Sequence, residues 1–155
     1  IDNIHKRKYI LNLGFEALSS YLDGKLLLSK ISKTIVPIKQ ILLDQRIIAG
    51  IGNIYASELL FDARISPFVR GKNLNLKQCN KIINSTKKIL KKAIKAGGST
   101  LKDYVSTDGT VGNFQNKFKV YNRAGKKVNG KLIKKVVQYG RSTYYCPEIQ
   151  KFNFF

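Results

Sequence analysis

The chain has 155 residues, 43% of them hydrophobic, which suits one or two packed domains and excludes disorder throughout. Its 29 Lys and Arg against 9 Asp and Glu give a formal charge of +20, which makes nucleic acid the first expectation for a partner, although a basic ribosomal protein or an anionic-membrane binder shares this composition. No apolar run approaches the roughly 18 residues of a membrane span, and the first residues lack the pattern of a signal peptide, so a soluble cytoplasmic protein is expected.

Residues 1–36 form an opening segment in which Leu26, Leu27, Leu28 and Ile31 lie at near-helical spacing, predicting a helix over Asp23 to Ile31. Pro37 suits the first turn of a second helix, where its missing N–H costs little, with Ile38, Ile41 and Leu42 as the apolar stripe. Gly50 and Gly52 permit a tight double turn. Asn53 is the expected N-cap of a helix over Ile54 to Ala63 that ends before Pro67. The longest helix is expected from Leu76 to Ala96, with Asn75 and Gln78 spaced as a capping box and Gly97 in the C-terminal cap position. Leu76, Cys79, Ile82, Ile83, Thr86, Ile89, Leu90, Ala93 and Ile94 form its buried stripe. Lys77, Lys81, Lys87, Lys88, Lys91, Lys92 and Lys95 lie largely off that stripe and are read as a solvated face in preference to a DNA contact.

Residues 98–114 are rich in Gly, Ser and Thr and predict a loop around one short helical turn at Leu101–Val105. Residues 115–135 hold eight Lys or Arg and no Asp or Glu. Apolar alternation at Ile133, Val136, Val137 and Tyr139, then Thr143, Tyr144, Tyr145 and Cys146, predicts a β-hairpin with Gly140–Arg141 at its tip. The fold class is therefore α+β, with a helical domain over 1–114 and a small basic β-module over 115–155.

Two features suit phosphate. A helix start presents unpaired N–H groups and the positive end of the macrodipole, and Gly50 and Gly52 let a phosphodiester approach the backbone there, with the Asn53 amide adding a hydrogen bond. Arg141 at a hairpin tip can grip a phosphate through two hydrogen bonds. Taken alone, Gly-x-Gly-Asn is more often a plain tight turn, and a flexible exposed arginine is the better reading of Arg141.

The string from Gln45 to Phe61, Gln-Arg-Ile-Ile-Ala-Gly-Ile-Gly-Asn-Ile-Tyr-Ala-Ser-Glu-Leu-Leu-Phe, resembles the helix–two-turns–helix element of the formamidopyrimidine-DNA glycosylase family, and the resemblance runs on through Arg64-Ile65-Ser66-Pro67. Gly97 to Tyr104 resembles the family's stretch after its long helix, Phe118 to Gly125 its approach to a zinc finger, and Gly140 to Pro147 its closing finger hairpin. The resemblance implies that Asn53, with Gly52, holds a phosphate beside the damaged nucleotide. It implies that Arg141 grips the same stretch of backbone and serves the final elimination step, and that Lys39 and Lys33 are further basic backbone contacts. Residues 98–114 match a loop that closes over an everted oxidised purine, with Ser99, Thr100, Lys102 and Tyr104 as its capping residues, although Thr110 to Phe114 departs from the family's usual string.

Two further departures matter. The family finger carries two Cys-x-x-Cys pairs. Here Cys146 is the one thiol of that set and Lys126 to Lys131 replaces the first pair, so the finger is expected to be zincless, with no cofactor, held by packing of Val136, Val137, Tyr144 and Tyr145. Family chemistry also starts from an N-terminal proline amine followed by a glutamate in a separate domain. This chain begins Ile1-Asp2-Asn3, so that catalytic domain is expected to be absent from it and the 155 residues are expected to bind DNA and cleave nothing. The implied whole protein is a bifunctional glycosylase and abasic-site lyase for oxidised purines in base excision repair. It would act as a monomer on double-stranded damaged DNA, in a bacterial-type, nucleoid-associated setting. An endonuclease VIII-like enzyme for oxidised pyrimidines and a non-catalytic nucleic-acid-binding module remain as alternatives.

Overall fold

The structure is a computed structural model and describes residues 14–97 and 118–151. The Asp23 carboxylate accepts the Leu26 N–H at 2.8 Å, which starts helix α1 (Gly24–Ile31). Helix α2 (Ile38–Leu43) follows Pro37, which stands outside the helix at the N-cap with ψ 145° rather than in the first turn; its extended backbone bridges to Arg70 instead. Helix α3 (Asn53–Asp62), a 3-10 turn (Gly71–Asn73) and helix α4 (Leu76–Lys95) complete the helical part. The Asn75–Gln78 capping box closes in both directions, at 2.8 and 2.9 Å. Gly97 takes φ 88° just past the C-cap, as its position demands.

Helix α4 packs on α1 and α3, and Leu27, Ile31, Leu42, Leu60 and Ile82 are fully buried between the helices. Each such side chain contributes about 1.5–3 kcal/mol of burial. Gly24 sets the closeness of α1 to α4, since a Cβ there would overlap Asn80. The expected stripe of α4 holds at Cys79, Ile82, Ile83, Thr86, Leu90 and Ala93. Leu76 and Ile94 are exposed instead, because they lie to one side of the stripe at the two ends of the helix.

Two short pairings were not expected from the sequence. Strand β1 (Phe15–Glu16) runs parallel to β2 (Ile48–Ala49), and bonds from Gly14 N to Gln45 O (2.8 Å) and Ala17 N to Ala49 O (3.0 Å) continue the pairing on both sides. Strands β3 (Lys127–Val128) and β4 (Lys131–Leu132) form a small hairpin around Asn129–Gly130, whose positive φ values of 50° and 76° suit a two-residue turn.

The expected larger hairpin is present as β5 (Lys134–Gln138) and β6 (Arg141–Tyr145). Its tip is Tyr139–Gly140, with φ 51° and 75°, so Arg141 is the first residue of β6 opposite Gln138 rather than part of the turn. Val136 and Val137 do not hold this module together: β5 is an outer strand, and the two side chains are 37% and 69% exposed. The packing comes from Val120, Ile133, Tyr144 and Cys146, joined by Phe61 from α3. Tyr145, half-buried, meets Phe68 edge-on at 5.1 Å. The expected boundary at residues 114/115 and the helical turn at Leu101–Val105 lie outside the described residues. Among the described residues no helix is long and apolar enough to cross a membrane.

Candidate nucleic-acid interface

The two turns before α3 are built around Gln45. Its Oε1 accepts the Gly50 N–H at 2.9 Å and its Nε2 donates to the Ile51 carbonyl at 3.2 Å. Gly50 takes φ 101°, which a side-chain-bearing residue rarely adopts. Gly52, in an extended conformation, is the N-cap of α3, and Asn53 is the first residue inside the helix. The expectation that Asn53 caps α3 is therefore corrected: no side chain caps this helix. Gly52 offers no side chain to cap it, and the positive end of the helix dipole lies at this turn. A Cβ on Gly50 or Gly52 would meet nothing within 4 Å, so open space lies in front of both.

The Asn53 amide is drawn elsewhere by tertiary structure. Its Nδ2 donates to the Ser142 carbonyl at 3.1 Å. Lys39 Nζ donates to the same carbonyl at 3.1 Å and to Thr143 Oγ1 at 2.7 Å, and the Thr143 hydroxyl donates onward to Gln138 Oε1 at 3.0 Å. Asn53, Lys39 and Arg141 thus converge on one short stretch of β6. Arg141 is exposed. Lys39, expected as a basic backbone contact, is only 1% exposed, and its ammonium is bonded within the protein. Burial, reinforced by the nearby Arg141 charge, draws the Lys39 ammonium down to a pKa of about 8. Asn53 Oδ1 is buried, and among the described residues no group donates to it with full hydrogen-bond geometry. The Tyr121 hydroxyl nevertheless feels this amide, which opposes the upward push that burial and Tyr144 exert on its pKa.

Lys33 is exposed in the turn after α1, and no bond among the described residues ties it to this cluster. Ser99, Thr100, Lys102 and Tyr104 lie outside the described residues.

Four residues that shape the site were not singled out from sequence. Gln45 orders the double turn, and Tyr121 sits against Asn53. Glu58, buried in α3, accepts the backbone N–H groups of Lys119 (2.6 Å), Val120 (3.0 Å) and Tyr121 (3.1 Å), which docks the β-module on the helical part. Burial pushes the Glu58 carboxyl upward, and the three N–H donors and the Lys119 charge pull against it. A carboxylate directly before the apolar run Leu59-Leu60-Phe61 was the signal available. The fourth is Gln150, whose Oε1 accepts the Cys146 N–H at 2.8 Å while its Nε2 donates to Ile65 O at 3.0 Å.

Cys146 is buried in the apolar cluster, and among the described residues no three His, Cys, Asp or Glu side chains gather as a metal site.

A family model described as the formamidopyrimidine-DNA glycosylase H2TH domain matches residues 13–105. The chain is similar to the formamidopyrimidine-DNA glycosylase of Zymomonas mobilis, 45% identical over 144 residues that make up 92% of this chain and 53% of that protein. It is 44% identical to the protein of the same name from Wolbachia pipientis over equal shares of the two chains. Among solved structures, the Lactococcus lactis Fpg in complex with abasic-site DNA superimposes with a TM-score of 0.85 at 35% identity, covering 97% of this chain and 56% of that one. The MutM (Fpg) protein of Thermus thermophilus gives 0.83 at 37% identity, covering 92% and 55%. The chain spans about half the length of the curated relatives it matches.

Proposed function

The chain belongs to the formamidopyrimidine-DNA glycosylase family, and on that premise we propose that these residues hold the sugar-phosphate backbone of damaged duplex DNA for a bifunctional glycosylase and abasic-site lyase. The single observation that carries this reading is the meeting of Asn53, Lys39 and the Arg141 strand at the Ser142 carbonyl, beside a helix start with no side-chain cap. A phosphate seated there gains N–H donors, a dipole and the guanidinium of Arg141 together. Lys39 acts from beneath, holding β6 in register and supplying positive charge. Such contacts position a duplex without reading its sequence.

The substrates of the whole protein are oxidised purines, in keeping with the names of its relatives, and the protein works as a monomer on bacterial nucleoid DNA. Arg141 is the residue of this chain that takes part in the elimination step, through the phosphate it grips. The β-module folds without zinc, supported by its apolar cluster and by the Gln150 bonds to Cys146 and Ile65.

The test is fluorescence anisotropy of the 155-residue chain with an abasic-site duplex and its undamaged counterpart. Preference for the abasic duplex, without strand nicking, is expected. Equal binding to both, or robust nicking by these residues alone, overturns the reading. Release of 8-oxoguanine in preference to thymine glycol by the whole protein tests the substrate class.

A further inference from the structure

We propose that the outer face of α4 is a second nucleic-acid contact, a lysine ridge that takes the phosphate backbone of a duplex segment other than the one held at Asn53 and Arg141. The 20 residues of α4 include seven lysines and neither Asp nor Glu. At about 100° per residue, Lys77, Lys81, Lys88, Lys91, Lys92 and Lys95 fall within an arc of roughly 100°. All six are exposed. Lys87 falls outside the arc and serves the fold, donating to the Leu22 carbonyl at 2.7 Å. From Lys77 to Lys95 the ridge extends about 27 Å at 1.5 Å per residue, the axial length of about eight base pairs. The opposite face of α4 is packed on α1 and α3, so the ridge points away from the helix whose first residue is Asn53.

This arrangement is electrostatically costly for the isolated protein. Lysines three or four residues apart lie about 5–6 Å from one another, within the Debye length of about 8 Å at physiological salt. Of the six ridge lysines, only Lys88 has a carboxylate partner among the described residues, Asp62 at 2.9 Å. Lys77 in the first turn also opposes the helix dipole. A surface that serves solubility alone interleaves both signs. A one-sign ridge lowers its energy by meeting a polyanion, with release of condensed counterions. Duplex backbone fits better than a lipid surface, because α4 commits its apolar stripe to the core and keeps no continuous apolar face to insert between headgroups. The ridge contact itself rests on charge and geometry, while its contrast with the Asn53–Arg141 site rests on the function proposed above.

The experiment compares the 155-residue chain with a variant carrying Lys81→Gln, Lys91→Gln, Lys92→Gln and Lys95→Gln. Glutamine keeps helix propensity, and Lys87 and Lys88, which have partners, stay in place. Binding to an undamaged duplex is measured across a salt series. The variant should bind at least tenfold more weakly, with a salt slope shallower by up to about 3.6 and the loss of any second duplex equivalent at saturation. Its preference for an abasic-site duplex over an undamaged one should persist. Asn53→Ala should do the converse, lowering that preference and leaving the slope unchanged. In the unaltered protein, undamaged duplex should protect Lys81, Lys91, Lys92 and Lys95 from acetylation. Unchanged affinity and slope in the variant, or no protection, overturns the proposal. So does a variant that loses binding to phosphatidylserine vesicles while keeping its binding to DNA.

Discussion

Asn53 and Lys39 donate to one oxygen, the Ser142 carbonyl, each at 3.1 Å. That carbonyl belongs to the residue after Arg141, so the two bonds fix the guanidinium-bearing strand to the starts of both α2 and α3.

Removing the inward-bonded Asn53 amide or the exposed Arg141 guanidinium should weaken DNA binding selectively. Asn53→Ala and Arg141→Ala are each expected to cost about 1–3 kcal/mol in binding an abasic-site duplex. The arginine change should also make the salt slope shallower by about 0.9 per phosphate released. Lys77→Ala should weaken damaged and undamaged duplex equally. Should it reduce discrimination as much as Asn53→Ala does, the Asn53–Arg141 junction has no special role.

Lys39 should make both stability and binding depend on pH. Its folded pKa of about 8 lies below the ordinary 10.5. Between those values the unfolded chain holds more protons, so stability should rise as pH increases through this window. A phosphate brought close to Lys39 and Arg141 restores the charged form, so DNA binding at alkaline pH should take up a proton and weaken as pH rises. Calorimetry in buffers of different ionisation enthalpy measures that uptake. Lys39→Met should abolish it; persistence of the uptake in that variant would assign it to another group.

Glu58→Gln should loosen the attachment of the β-module. The amide replaces one acceptor oxygen with a donor that faces backbone N–H groups, so at least one of the three bonds from Lys119, Val120 and Tyr121 is lost. A loss of about 2–3 kcal/mol is expected in chemical denaturation. A neutral result would mean that Phe61 and the apolar cluster suffice to dock the module.

Metal removal should change nothing. Prolonged treatment with a chelator is expected to leave the melting temperature and DNA affinity as they were, whereas Gln150→Ala should cost about 1–3 kcal/mol by stranding the Cys146 N–H and the Ile65 carbonyl. A chelator-sensitive melting temperature would show that the module needs a metal after all.

Several features were legible in the sequence because they are decided within a few residues. The Asn75–Gln78 box, the left-handed Gly97 and the buried stripe of α4 follow from local hydrogen bonding and helical periodicity. Other expectations failed for an equally physical reason. Local rules favour Asn53 as a cap, but the Ser142 carbonyl, 89 positions away, takes its amide. A lysine is ordinarily solvated, yet Lys39 is enclosed once β6 lies over it. Val136 and Val137 have apolar side chains on a strand that nothing among the described residues covers.

The amino-acid sequence by itself determined the order of the helices and the larger hairpin, the glycine turn ahead of α3, the excess of positive charge and the family resemblance. Only the tertiary structure decided that positions 39, 53 and 141 share a neighbourhood, and that Glu58 and Gln150 hold the β-module. Periodicity and capping act over about one helical turn, whereas a buried donor is satisfied by whatever acceptor packing brings to it, however distant along the chain.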